Sequence, residues 1–380
     1  MYNSKKSFIA LILISATSVS QVNNIYSNDS QTIVVNFPID DHNGLFLPAN
    51  EIHQMASTAA QRLGYTYQIG DACRPYTRVY PLPDNDATLH AVIISSPLCI
   101  DDVTQKNYPP EKLITYLWEP PAVYAEHLKQ AVHAMSGIVF TWDDDLVDNK
   151  KFFKLTYAQL PNYICEPLPF HEKKFCCVMA GNYHSSYSHE LYSARRTTIR
   201  CFEQYAPGQL DIYGNNWDIA HYPAYKGYTP NKLATLRNYK FCICYENSTN
   251  IRGYISEKIQ HCLFVGCVPI YWGATNITDY IPENCFIDRR KFNSDRELYD
   301  FLTHITADEY QRYIDNIHRY LHSTQAKLFS TIYFVDTMLK AIIPDYNRSQ
   351  AFSAEQAAEL EEIDAIYQKI NPRITVPHDR

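Results

Sequence analysis

Along residues 31–345, short runs of β-branched, aliphatic and aromatic residues alternate with longer stretches whose apolar positions recur every three to four residues. That alternation marks parallel sheets covered by helices, because a parallel strand returns through a crossover and ends up buried on both faces. In the first half the pattern predicts strands over Thr32–Phe37, Ala91–Ser95, Leu113–Trp118 and Ile138–Trp142, with helices over Asn50–Leu63 and Val123–Met135. Between Ala158 and Lys173 the period is lost and Pro161, Pro167 and Pro169 intervene, which reads as a connection with a boundary near Glu166. The alternation then restarts with strands Phe175–Met179, Leu210–Tyr213, Phe241–Tyr245 and Cys267–Tyr271, and helices Glu190–Tyr205 and Tyr254–Val265. Further helical patterns cover Asp295–Thr303, Ala307–Leu321 and Thr324–Ile342, and a tail opens with Ser353 and Gln356 at capping-box spacing. The chain therefore reads as α/β, with two Rossmann-like lobes (31–165 and 166–345) facing a central cleft and a helical tail over 346–380. Ligands of open α/β sheets bind beyond the carboxyl ends of the strands, so the chemistry belongs in that cleft.

Residues 1–20 stand apart: Lys5 and Lys6 precede an apolar run from Phe8 to Ile14 and then small residues up to Ser20. This is the pattern of a signal peptide. The run is well short of the roughly 20 apolar residues a spanning helix needs, which leaves cleavage and a peripheral or N-terminal membrane association both open. The 380 residues are 46% apolar, enough to bury cores in two domains. A net charge of -7 gives no global attraction for nucleic acid, so positive charge meant for phosphate has to be local. Eleven cysteines at irregular spacings, with Cys242 and Cys244 inside a strand-like run, read as reduced core residues, and without paired C-x-x-C spacing no structural zinc is expected. Reduced thiols favour a cytosol-facing site while the N-terminal segment favours the secretory route, so localisation stays open. Asp143-Asp144-Asp145 contains an Asp-x-Asp of the kind that holds a divalent ion in many enzymes acting on diphosphates. It follows a first-lobe strand and reads as an ordinary acidic loop.

The informative stretch is Tyr239–Gly273, YKFCICYENSTNIRGYISEKIQHCLFVGCVPIYWG. It comprises a buried strand, a polar loop, a helix expected to open near Gly253-Tyr254, and a second strand. A loop entering a helix N-terminus offers free N–H donors and partial positive charge to a diphosphate. On spacing alone, Glu257 and Lys258 read better as solvated first-turn charges on an amphipathic helix. The segment, however, closely resembles the donor-binding signature of the alpha-1,3/4-fucosyltransferases of glycosyltransferase family ten. The likeness runs through Phe241, Tyr245, Glu246, Asn247 and Ser248, then Tyr254, Ile255, Ser256, Glu257, Lys258 and Ile259, then Val268, Pro269 and Gly273. The resemblance implies a GT-B fold whose second lobe binds GDP-fucose. It also implies that Asn247 and Tyr254 line the nucleotide-sugar pocket, Glu257 holds the ribose and Lys258 pairs with the diphosphate. The run Glu190–Arg196 resembles the helix that supplies the family's phosphate arginine, here Arg195, and a guanidinium can clamp two phosphate oxygens of the leaving GDP.

Inverting transfer needs one carboxylate to take the acceptor's proton, because a nucleoside diphosphate leaves as an anion once cations receive it. The candidate is Glu119, directly after the apolar run Leu113–Trp118 and before Pro120-Pro121, in a segment that resembles the family's base-bearing stretch. The resemblance thus implies an inverting fucosyltransferase with Glu119 as base, Arg195 and Lys258 receiving GDP, and no obligatory metal, manganese being at most a stimulant. A 1,3 linkage to a GlcNAc-type glycan hydroxyl comes with it, 1,4 activity staying open, while the acceptor itself is not legible. Two rivals remain on the residues alone: transfer of another sugar from another nucleotide, and a glycan-binding protein that kept the fold without turnover.

Overall fold

A computed structural model describes residues 31–36, 48–69, 84–94, 106–125, 130–157, 160 and 164–372. The signal-like segment and parts of the Val123–Met135 and Ala158–Lys173 stretches lie outside these residues.

The first lobe is a parallel sheet of β1 (Thr32–Asn36), β2 (Thr66–Ile69), β3 (Leu89–Ile94), β4 (Leu113–Leu117), β5 (Ile138–Thr141) and β6 (Phe152–Lys154), in the order β2-β1-β3-β4-β5-β6. Helices α1 (Pro48–Arg62) and α2 (Gln130–Met135) belong to its crossovers. The second lobe has β7 (Lys174–Met179), β8 (Leu210–Tyr213), β9 (Tyr239–Tyr245), β10 (Val268–Trp272) and β11 (Ile287–Asp288), ordered β11-β10-β9-β7-β8 and again all parallel. Its helices are α3 (Tyr192–Tyr205), α4 (Lys232–Leu236), α5 (Glu257–Phe264), α6 (Ile277–Tyr280), α7 (Asp295–His304) and α8 (Ala307–Leu321). The two-lobed α/β class read from the sequence is the class found. Central strands are buried on both faces, as the unbroken apolar runs require: every residue of β4 is buried, and all of β9 but Lys240.

Three helices close the chain: α9 (Thr331–Ile342), α10 (Arg348–Ala351) and α11 (Ala354–Ile370). The single helix expected over Thr324–Ile342 is divided at Ser330, whose side chain caps Tyr333 N and so starts α9 afresh. Although α9 follows the second lobe in sequence, it packs on α1 of the first, with Phe334 against Tyr116. Arg62 donates to the Ala351 carbonyl and Gln350 to that of Arg62, fastening α10 to the same helix. The amphipathic face of α1 is thereby covered by the chain's own C-terminal part. The Ser353–Gln356 capping box forms as its spacing indicates.

The two sheets meet at their carboxyl ends. Asp144, just beyond β5, accepts from Lys154 Nζ at 2.7 Å, from Asn276 at 2.9 Å and from the Tyr280 hydroxyl at 2.7 Å, the last two across the lobe junction. Its carboxyl is pushed up by burial, yet Lys154 and these hydrogen bonds outweigh that and hold it below the ordinary range. Gly253 lies directly on this pair with φ at +76°, and a Cβ there would come within 2.5 Å of both Lys154 Nζ and the Trp142 carbonyl. Only glycine fits that close an approach.

Candidate active site

The first-lobe side is built on β4. The strand ends at Leu117, where Trp118 N turns back to the Tyr116 carbonyl at 2.9 Å, and Pro120 and Pro121 have no N–H to resume the ladder beyond Glu119. The approach is clamped: the Trp118 carbonyl accepts from Trp142 Nε1 at 3.0 Å and from the Tyr157 hydroxyl, and the Trp118 and Tyr157 ring centroids lie 4.4 Å apart. Glu119 is half-buried. Burial pushes its carboxyl up to about 7, Lys258 pulls it down, and Glu257 adds to the rise. Both of those charges belong to the second lobe, so Glu119 faces α5 across the cleft.

The second-lobe side is organised by Glu246, the residue after β9, which is fully buried. Its carboxylate accepts from Ser256 N at 2.8 Å and Ser256 Oγ at 2.6 Å, and Lys258 Nζ stands 3.5 Å from Oε2. Arg195, 2% exposed on α3, donates through Nη2 to the carbonyls of Tyr245 at 2.7 Å and Glu246 at 3.2 Å. Arg195 and Lys258 therefore converge on one residue, the arginine on its main chain and the lysine on its side chain. The Arg195 Nε is buried with no hydrogen-bond partner among the described residues. Burial lowers the Lys258 ammonium pKa, but Glu257 and Glu246 more than reverse this, so the lysine stays charged with Arg195 opposing from nearby. Glu257 is pushed up by burial and held low by Lys258, Lys232 and His261, which keeps it ionised.

The helix expected from Gly253-Tyr254 begins at Glu257 instead, with Ser256 as its cap. The reason is local: Glu246 takes both the N–H and the hydroxyl of Ser256, while Gly253 N is drawn to Asn276 Oδ1 at 2.8 Å. Tyr254 is consequently outside the helix and not one turn before Lys258. It is buried, with its ring 4.6 Å from that of Trp142, in a cluster with Tyr157 and Ile251 beneath Glu119. Asn247 is half-buried; its carbonyl accepts from Leu191 N at 3.1 Å, and its side-chain amide makes no hydrogen bond within the described residues. A small hollow along β9 is lined by Met179, Ala180, Lys232, Leu236, Tyr245 and Lys258 and by the cysteines at 242, 244 and 262.

Sequence reading gave no role to Glu246, although it stood inside the recognised pattern, nor to Lys232, whose Nζ lies 3.7 Å from Glu257 Oε1. An acid between an apolar strand and a small polar loop was the signal for the first; the second carries none in sequence. The cysteines at 176, 177, 242, 244, 262 and 267 are buried free thiols, packed in the second core as expected.

Residues 171–336, the strand-and-helix frame just described, match the family described as glycosyltransferase family 10 (fucosyltransferase) C-term. The second lobe is the part of this chain that is similar to the family 10 fucosyltransferases. An alpha-(1,4)-fucosyltransferase of Arabidopsis thaliana is 38% identical over 73 residues, 19% of this chain and 18% of its own. Human alpha-(1,3)-fucosyltransferase 7 is 37% identical over 128 residues, 32% of this chain and 35% of its own. The chain thus spans about a third or less of the length of these relatives. A crystal structure of an alpha1,3-fucosyltransferase with GDP aligns over 94% of this chain and 96% of that one, at 15% identity and a TM-score of 0.48. Within the matched residues lie Arg195, Glu246, Asn247, Tyr254, Glu257 and Lys258, whereas Glu119 lies outside them.

Proposed function

We propose that the protein transfers L-fucose from GDP-fucose to a hydroxyl of a glycan acceptor with inversion, a GlcNAc-type sugar and an alpha-1,3 linkage being the favoured case. The observation that carries this reading is the convergence of Arg195 and Lys258 on Glu246, opposite a carboxylate whose affinity for protons is raised to about 7. A general base is most effective when its pKa sits near the working pH, and Glu119 meets that condition. It takes the acceptor proton as the oxygen attacks the anomeric carbon. The C–O bond to the diphosphate breaks on the opposite side, and the electron pair stays on GDP, where Arg195 and Lys258 receive the charge. Glu257 accepts hydrogen bonds from the ribose, and Asn247 contributes its unengaged amide to the sugar-nucleotide pocket. Tyr254 acts from below, by fixing the aromatic floor under Glu119. Leaving-group stabilisation comes from these side chains, so no metal is obligatory and manganese only assists.

The test is to incubate the protein with GDP-fucose, GDP-mannose and UDP-sugars, each with N-acetyllactosamine-like and chitobiose-like acceptors, and to read products by mass and linkage analysis. Fucosylated product from GDP-fucose alone is the expected result. Turnover of a different donor would replace the reading with the rival transferase.

A further inference from the structure

Lys232 sits at the first position of the short helix α4, which packs on α5, and it lines the same hollow as Lys258. Its side chain is only 13% exposed, unusual for a lysine unless the ammonium is paired. The pairing is with Glu257: Lys232 Nζ lies 3.7 Å and Lys258 Nζ 3.8 Å from the same oxygen, Oε1. We propose that Lys232 is a positioning residue of the nucleotide pocket, which holds the Glu257 carboxylate by Oε1 so that Oε2 is presented to the ribose hydroxyls of a nucleoside diphosphate.

Three features support this. A free carboxylate at the start of a helix rotates about its last torsion, whereas two ammonium groups within 4 Å of the same oxygen draw Oε1 towards them and turn Oε2 away. A carboxylate accepts at about four lone-pair sites, so engagement at Oε1 leaves acceptor capacity for a vicinal diol. The charge balance also fits: Arg195, Lys232 and Lys258 stand against Glu246 and Glu257, leaving one excess positive charge on this wall in a chain whose net charge is -7. Without Lys232 the wall is neutral, and Glu257 would be free to turn wholly onto Lys258 and take that cation away from the phosphates.

The inference rests on the nucleotide-binding reading above, and the experiment separates their failures. Calorimetric titration of GDP, UDP and 2′,3′-dideoxy-GDP is performed on the full chain and on its Lys232→Met and Lys232→Arg variants, with thermal melting as the folding control. The wild-type protein is expected to bind GDP about tenfold or more tightly than the dideoxy compound, the effect of one charge-assisted hydrogen bond. In Lys232→Met that preference collapses towards unity and GDP affinity falls about tenfold, while Lys232→Arg restores both. A merely structural role would weaken both ligands equally. Equal loss for both, or an unchanged preference in Lys232→Met, overturns the inference while leaving the nucleotide site intact. A wild-type protein that binds neither GDP nor UDP overturns both.

Discussion

At the scale of single residues, the site is decided by how burial and neighbouring charge act on each group. Glu119 is shifted up to about 7 because burial outweighs the attraction of Lys258. Its base form therefore prevails only above about pH 7, and kcat/KM for the acceptor is expected to rise with pH through that value in a stopped assay. The same shift acts on stability. The unfolded carboxyl ionises near 4.5 and the folded one near 7, so the folded state binds more protons between them and stability falls as pH rises through that window. Glu246 acts differently, since it touches Ser256 and Lys258 at once. Glu246→Ala leaves Lys258 without its buried partner and Ser256 N–H without its acceptor. An order of 3–5 kcal/mol of destabilisation is expected in denaturant titration, together with a raised KM for the donor. Glu119 and Lys258 were singled out in the sequence only because each lies in a stretch that resembles a known family, not through any local spacing. Lys232 was not, because its significance lies in a contact with a residue 25 positions away that no local spacing announces.

At the scale of elements, periodicity located the long, strongly amphipathic pieces and only some of the short ones. Ala307–Leu321 and Leu210–Tyr213 have the bounds that their patterns indicate. The strands β2, β6 and β11, of four, three and two residues, were missed, since so few positions display no period. The start of α5 was misplaced by three residues, because its true cap is chosen by Glu246, a tertiary partner, over the local sequence. The turn before it depends on Gly253 in the left-handed region, where any Cβ meets Lys154 and Trp142. Gly253→Ala should therefore destabilise by more than the ~1 kcal/mol of the backbone conformation alone. Thermal melting compared with an alanine placed at Gly208, where no atom lies within 4 Å of the added Cβ, isolates the steric part.

At the scale of the whole molecule, two parallel sheets present their carboxyl ends to one another and are pinned by the Asp144 network. The alternation of strands and helices made the two-lobed plan legible. It could not show that α9 returns to the first lobe, because which helix covers α1 is settled by three-dimensional closeness and not by order along the chain. Within the Asp143-Asp144-Asp145 run, Asp144 forms the lobe junction with Lys154, Asn276 and Tyr280, and Asp145 faces Arg252 at 3.4 Å. Asp144→Ala leaves Lys154 buried and unpaired at the lobe junction, and a loss of about 3–5 kcal/mol in unfolding free energy is expected by denaturant titration, against little change for Asp145→Ala on the exposed rim.

The account stands most directly on the pairing of a second-lobe cation wall with one first-lobe acid. Glu119→Gln removes the acid's basicity while keeping its size, so turnover of GDP-fucose and calorimetric binding of GDP are to be measured side by side on that variant and the wild-type protein. Turnover should drop roughly a hundredfold or more while GDP affinity stays within about twofold, because the proton acceptor is lost and the phosphate-receiving groups are untouched. Turnover undiminished in Glu119→Gln, or lost only in step with GDP binding, would contradict the assignment of the base and with it the proposed mechanism.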